Sequence, residues 1–218
     1  MNYCVYTIGE YMEPKQAIQM NKNFVHRFFP RTVEINGLSQ LRAFNRMCET
    51  LDTSRLEEVR IVIEWEPRNP DDVIRVPPGV RKVTLDVNRV IRIDIPDTVI
   101  ELTVQKYPYY QHLHLPDSVR KLTLGEGFDS IVWKWSENLE ELRMDGWCSG
   151  NGRTPVPIDW LPDSLKRITI NNDLDIEIWD WPDGLEEVVL EGSAPSLEQM
   201  WPHANIADRV NFAKRVTH

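Results

Sequence analysis

The stretch "LPDSVRKLTL" (115–124) decides the fold, because the chain repeats its pattern: "IPDTVIELTV" (95–104) precedes it, and "LPDSLKRITI" (161–170) and "WPDGLEEVVL" (181–190) follow. Aligned on the apolar residue after the Pro-containing tetrapeptide, the pattern extends to seven units starting at Leu56, Val80, Val99, Val119, Leu139, Leu165 and Leu185. The steps between starts are 24, 19, 20, 20, 26 and 20 residues. A unit this short cannot bury its apolar face alone, so neighbouring units must stack and share one core, as in a solenoid.

Each unit reads apolar, two polar, apolar, variable, apolar: "VRKVTL", "VIELTV", "VRKLTL", "LEELRM", "LKRITI", "LEEVVL". The last four positions alternate with period two and predict a short strand with one buried face. One strand per unit gives a parallel sheet of about seven strands, roughly 29 Å across at about 4.8 Å per strand. A second alternation ends at the proline in Ile93 and Ile95, Leu113 and Leu115, Trp133 and Trp135, and Trp179 and Trp181. Its side chains are expected to point inward from the opposite side of the coil. The Pro-Asp-Ser/Thr/Gly between the two alternations is turn chemistry, with proline presetting φ and Asp or Ser able to bond its own backbone. An α/β solenoid is therefore expected.

The motif "LPDSVRKLTLGEGFDSI" (115–131) resembles the leucine-rich-repeat superfamily, most closely its FNIP class, with the short repeats of bacterial secreted effectors second. The resemblance spans about residues 53–202. Two features depart from it: only Asn172 approaches the usual asparagine after the strand, and Phe128 and Ile131 are the nearest echo of Phe-Asn-Ile-Pro. The resemblance implies a leucine-rich-repeat-like coil that binds another protein and performs no catalysis.

A solenoid needs caps over its terminal apolar edges. Residues 1–55 lack the repeat and are expected to form an N-terminal helical α/β cap. "EPKQAIQMNKNFVHRFF" (13–29) and "LSQLRAFNRMCETL" (38–51) have helical spacing, the second with Leu41, Phe44, Met47 and Leu51 on one face and Ser39 as its cap. "TVEI" (32–35) between them reads as a strand at the sheet edge. An adaptor motif is the alternative reading of this segment. Residues 56–202 form the solenoid, and 203–218 a C-terminal cap or tail.

Composition narrows the partners. A net charge of −9 with 41% hydrophobic residues describes a globular chain whose charge opposes nucleic acid, since phosphate binding needs clustered Lys and Arg. Cys4, Cys48 and Cys148 are odd in number and far apart, without disulfide or metal spacing. Reduced thiols, an N-terminus without a basic-then-apolar leader, and no apolar run of membrane length lead to an expected cytoplasmic, intracellular location, with a host cell interior included, and no membrane partner. No phosphate loop, nucleophile elbow or His-Glu-x-x-His occurs, and no cofactor is expected. His112 and His114 alternate outward in "YYQHLHL" and are two ligands where a metal site needs three or four. A small metal-dependent enzyme built on them is thus the second alternative, behind a structural subunit of a larger assembly.

The variable strand positions form rows across the sheet. One row alternates strictly in sign: Glu58, Lys82, Glu101, Lys121, Glu141, Arg167, Glu187. The next runs Arg60, Thr84, Thr103, Thr123, Arg143, Thr169, Val189; it superficially resembles the threonine rows of ice-binding solenoids, but arginines interrupt it. The expected partner-binding site is Arg143 flanked by Thr123 and Thr169. Its rim is the insertion "WCSGNGRTPVP" (147–157), which carries Trp147 and Arg153, residue types that anchor interfaces. Against this stand a surface loop merely folded over the coil, and Glu141 and Asp145, both within reach of the guanidinium.

Overall fold

The computed structural model describes residues 31–50, 52–64, 73–88, 91–106, 115–125, 135–145, 156–158, 161–171, 176–178, 181–191 and 211–215. In chain order the elements are β1 (Thr32–Asn36), α1 (Leu38–Thr50), β2 (Glu58–Ile63), β3 (Val73–Arg75), β4 (Lys82–Val87), β5 (Arg92–Asp94) and β6 (Glu101–Lys106). There follow β7 (Lys121–Leu124), β8 (Glu141–Met144), β9 (Val156–Ile158), β10 (Arg167–Asn171), β11 (Ile176–Ile178), β12 (Glu187–Glu191) and β13 (Asn211–Arg215). The chain is an α/β solenoid. Its main sheet is wholly parallel, in the order β1-β2-β4-β6-β7-β8-β10-β12-β13. The seven repeat strands are thus joined by one strand at each end, giving a sheet about 38 Å across at about 4.8 Å per strand.

The repeat pattern lays down the core. The second apolar position of each unit, Val59, Val83, Leu102, Leu122, Leu142, Ile168 and Val188, is buried, as are the unit-start residues from Leu56 to Leu185. The alternation before the proline supplies the opposite wall. There, β3 pairs with β5 and β9 with β11, both parallel. Leu115, Trp135 and Trp181 are buried, and Ile93 and Ile95 pack half-buried against the same core. Leu113, Trp133 and Trp179 lie outside the described residues.

Each corner is closed by a turn in which the unit-start N–H donates to the carbonyl three residues back, a proline carbonyl in most units and that of Ser136 for Leu139 and Thr53 for Leu56. The distances are 3.2 Å for Val99 to Pro96, 3.1 Å for Val119 to Pro116 and 3.0 Å for Leu165 to Pro162. Ser136 Oγ bonds its own turn, accepting from Asn138 N at 3.3 Å, and the turn hydroxyls also reach the coil before. Thr98 Oγ1 donates to the Val80 carbonyl at 3.0 Å, Ser118 Oγ to Val99 at 2.7 Å, and Ser164 Oγ to Leu139 at 2.8 Å. In the unit that reads "WSEN", Asn138 Nδ2 and Ser136 Oγ both donate to the Asp117 carbonyl instead, at 2.9 and 3.1 Å. Stacking in register brings each corner against the carbonyls of the previous one, which would otherwise lack partners.

The N-terminal cap follows the expected order of strand and helix. Leu38, Leu41 and Phe44 of α1 are buried, Met47 is half-buried, and Leu51 lies outside the described residues, as does 13–29. Ser39 is not the cap. Gly37, at φ 84°, makes the turn from β1; its carbonyl accepts from Leu41 N at 3.1 Å, and Gln40 Oε1 accepts from Asn36 N at 2.8 Å. At the other end the tail is not frayed throughout, since β13 adds a parallel strand beside β12.

Candidate partner-binding face

Residues two apart on a strand share a face, so the register places three rows on the open side of the main sheet. The charge row is continuous from Glu58 through Lys82, Glu101, Lys121, Glu141 and Arg167 to Glu187, every residue directly opposite its neighbour. Three pairs close: Lys82 Nζ–Glu58 Oε1 at 3.5 Å, Lys121 Nζ–Glu141 Oε1 at 2.9 Å and Arg167 Nη2–Glu187 Oε2 at 2.7 Å. Seven charges cannot pair completely, and Glu101 forms no ion pair among the described residues. The hydrogen bond it donates to Glu141 holds the Lys121 ammonium above its usual pKa.

The adjacent row, from Arg60 to Val189, changes character along its length. Arg60 is exposed and Thr84, Thr103 and Thr123 are half-buried, whereas Thr169 is 9% exposed and Val189 1%. The change coincides with Arg143. Its Nε lies 2.8 Å from Asp145 Oδ2, and Nη1 and Nη2 reach Glu191 Oε1 and Oε2 at 3.2 and 2.6 Å. The bidentate pair joins β8 to β12, so it spans β10, the strand that carries Thr169. The hydrogen bonds that Arg143 donates to Glu191 and then to Asp145 raise the guanidinium pKa above its already high value. Glu141, the other reachable carboxylate, is occupied by Lys121.

The expected site residues therefore separate. Arg143 is committed to two carboxylates, Thr169 is buried, and Thr123 remains half-exposed at the boundary. Trp147, Arg153, His112 and His114 lie outside the described residues. Glu191 was missed as the partner of Arg143 because the two are 48 residues apart. The available signal was register: Glu191 ends a repeat strand two rungs from β8. Among the described residues no group of three His, Cys, Asp or Glu is arranged to hold a metal, and no helix is long and apolar enough to cross a membrane.

Comparison of the chain with protein-family models, with curated proteins and with solved structures finds no match.

Proposed function

We propose that this chain is a non-catalytic protein-binding module of leucine-rich-repeat type, working in the cytoplasm, whose open sheet face receives a partner protein. The observation that carries the reading is the stretch from Arg60 to Thr123, an ordered polar surface across four adjacent strands. The hydroxyls of Thr84, Thr103 and Thr123 make no hydrogen bond among the described residues, in contrast to Thr98, Ser118 and Ser164 at the corners. Cys48 as a free thiol fits a reducing compartment.

The test is affinity capture from host extract with three forms: wild type, Thr103→Arg on the open face, and Arg92→Glu on exposed β5 of the opposite wall. The reading requires a partner retained by wild type and Arg92→Glu and lost by Thr103→Arg. A partner retained equally by all three places binding elsewhere and removes the open face from consideration.

A further inference from the structure

The threonine row is a trough. Along one side stand the longer side chains of Lys82, Glu101 and Lys121; along the other stand Asp86 and Lys106, which face each other in register. The trough is blocked at β8, where Arg143 is clasped to Asp145 and Glu191, and beyond which the row is buried. At β2 it reaches Arg60, an exposed guanidinium without an ion pair among the described residues, beside which Glu34 of β1 lies in register and accepts from Asn36 Nδ2. From Arg60 to Arg143 is four strand spacings, about 19 Å, the length of about six extended residues.

Resting on the reading of this chain as a protein-binding module, we propose that the trough seats an extended segment of the partner, bearing an acidic residue against Arg60 and a basic residue against Glu101. Extension follows from the hydroxyls. A helix satisfies its backbone groups internally, whereas an extended segment presents N–H and C=O groups in need of partners. Three unspent hydroxyls at about 4.8 Å intervals suit the second kind of ligand. The charges follow from the pairing of the wall: Lys82 and Lys121 are held by Glu58 and Glu141, which leaves Glu101 between them as the anion of that wall without an ion pair among the described residues. Glu101 lies two strands from Arg60, about 10 Å across the sheet, so the complementary residues of the segment stand two to four positions apart. Nucleic acid is disfavoured by the same pairing and by the net charge of −9.

The experiment pans a displayed library of random peptides about ten residues long, enough to overfill the trough, against the full chain. Enriched peptides are then titrated by fluorescence anisotropy against wild type, Thr103→Arg, Arg60→Glu, Glu101→Lys and Arg92→Glu. Arginine is already tolerated in this row at positions 60 and 143, so Thr103→Arg fills the trough without burying its charge; circular dichroism of each variant checks that it folds. The expected result is a recurring acidic and basic pair two to four residues apart, with a loss of about tenfold or more on Thr103→Arg. Loss on Arg60→Glu is then recovered when the peptide's acidic residue is changed to Lys. No enrichment, or binders indifferent to Arg60 and Glu101, overturns this proposal. Binders that ignore both charges yet depend on Thr103 leave the open-face reading standing, whereas binders indifferent to Thr103 as well count against both.

Discussion

Gly184 occupies the corner position held by Ser118 and Ser164 in sister units, so its coil lacks the hydroxyl that ties one turn to the last. Gly184→Ser should restore that rung by donating to the Leu165 carbonyl, the counterpart of Val99 and Leu139. Gly184 is not among the glycines of positive φ, which are Gly37 and Gly79, so an L-residue is not strained there. Reduced unfolded-state entropy contributes about 0.4–1 kcal/mol for any residue with a Cβ. The new hydrogen bond adds ~0.5–1.5 kcal/mol. Against both stands crowding, since a Cβ would lie 3.0 Å from the Asp163 carbonyl oxygen. Gly184→Ala shares the entropy gain and the crowding but lacks the hydroxyl, so the difference between the two variants isolates the bond. In urea unfolding followed by tryptophan fluorescence, Ser should exceed Ala by ~0.5–1.5 kcal/mol, with each kcal/mol worth about 2–4 °C in Tm for a chain of this size. Ser equal to or below Ala refutes the argument that the hydroxyl ladder stabilises the stack.

Leu122 is 1% exposed and lies between Leu102 and Leu142 in register, so Leu122→Ala should cost about 2–5 kcal/mol in chemical unfolding; a change near zero would contradict the packing. A double-mutant cycle of Arg143→Met and Glu191→Gln should give a coupling of ~1 kcal/mol, restrained by solvent because the Arg143 side chain is 41% exposed. The Cys48 thiol is pushed up to about 11 from 9.0 by burial and then by Glu49, so iodoacetamide at pH 8 should modify it more slowly than in the unfolded chain. Because the folded pKa is the higher one, the native state holds the proton more tightly. Its contribution to stability is complete below pH 9 and is lost as pH rises toward about 11, which alkaline unfolding curves of wild type and Cys48→Ala can check.

The repeat strands were legible because two periods act together: an alternation of two within the strand and a recurrence near twenty between strands. Each copy reinforces the register of the others, so even Glu58 opposite Lys82 follows from alignment alone. The ends carried no such redundancy. Strand β13 has no sister copy of the Pro-Asp corner before it, and the sequence gives it no more weight than a tail. The cap of α1 was misplaced by two residues because Ser39 is a common capping type, while Gly37 is chosen for its backbone and leaves no side-chain signature. Asn171 turns back on the preceding coil, its Nδ2 donating to the Asp145 carbonyl at 3.2 Å, whereas Asn172 lies outside the described residues. Likewise, Gly125 follows its strand because a Cβ there would lie 2.6 Å from the Gln105 oxygen, beside a shift of register that sequence spacing does not announce.

Arg60 and Arg143 occupy the same row and differ in what their surroundings ask of them. Two residues on from Arg143 is Asp145, and two strands away at the same level is Glu191, so the guanidinium finds carboxylates on both sides without leaving the sheet. The corresponding positions around Arg60 are Val62 and Lys106, an apolar residue and a like charge. Glu34 lies in register beside Arg60 but accepts from Asn36 Nδ2 at 3.3 Å. One arginine is therefore drawn down into a clasp and the other stands clear at the end of a polar trough. Residue type alone would rank Arg143 and Arg60 equally as anchors; the neighbours two residues and two strands away separate them. In a repeat array, function is read from where the copies cease to agree, and on this face they disagree in the charges around these two arginines.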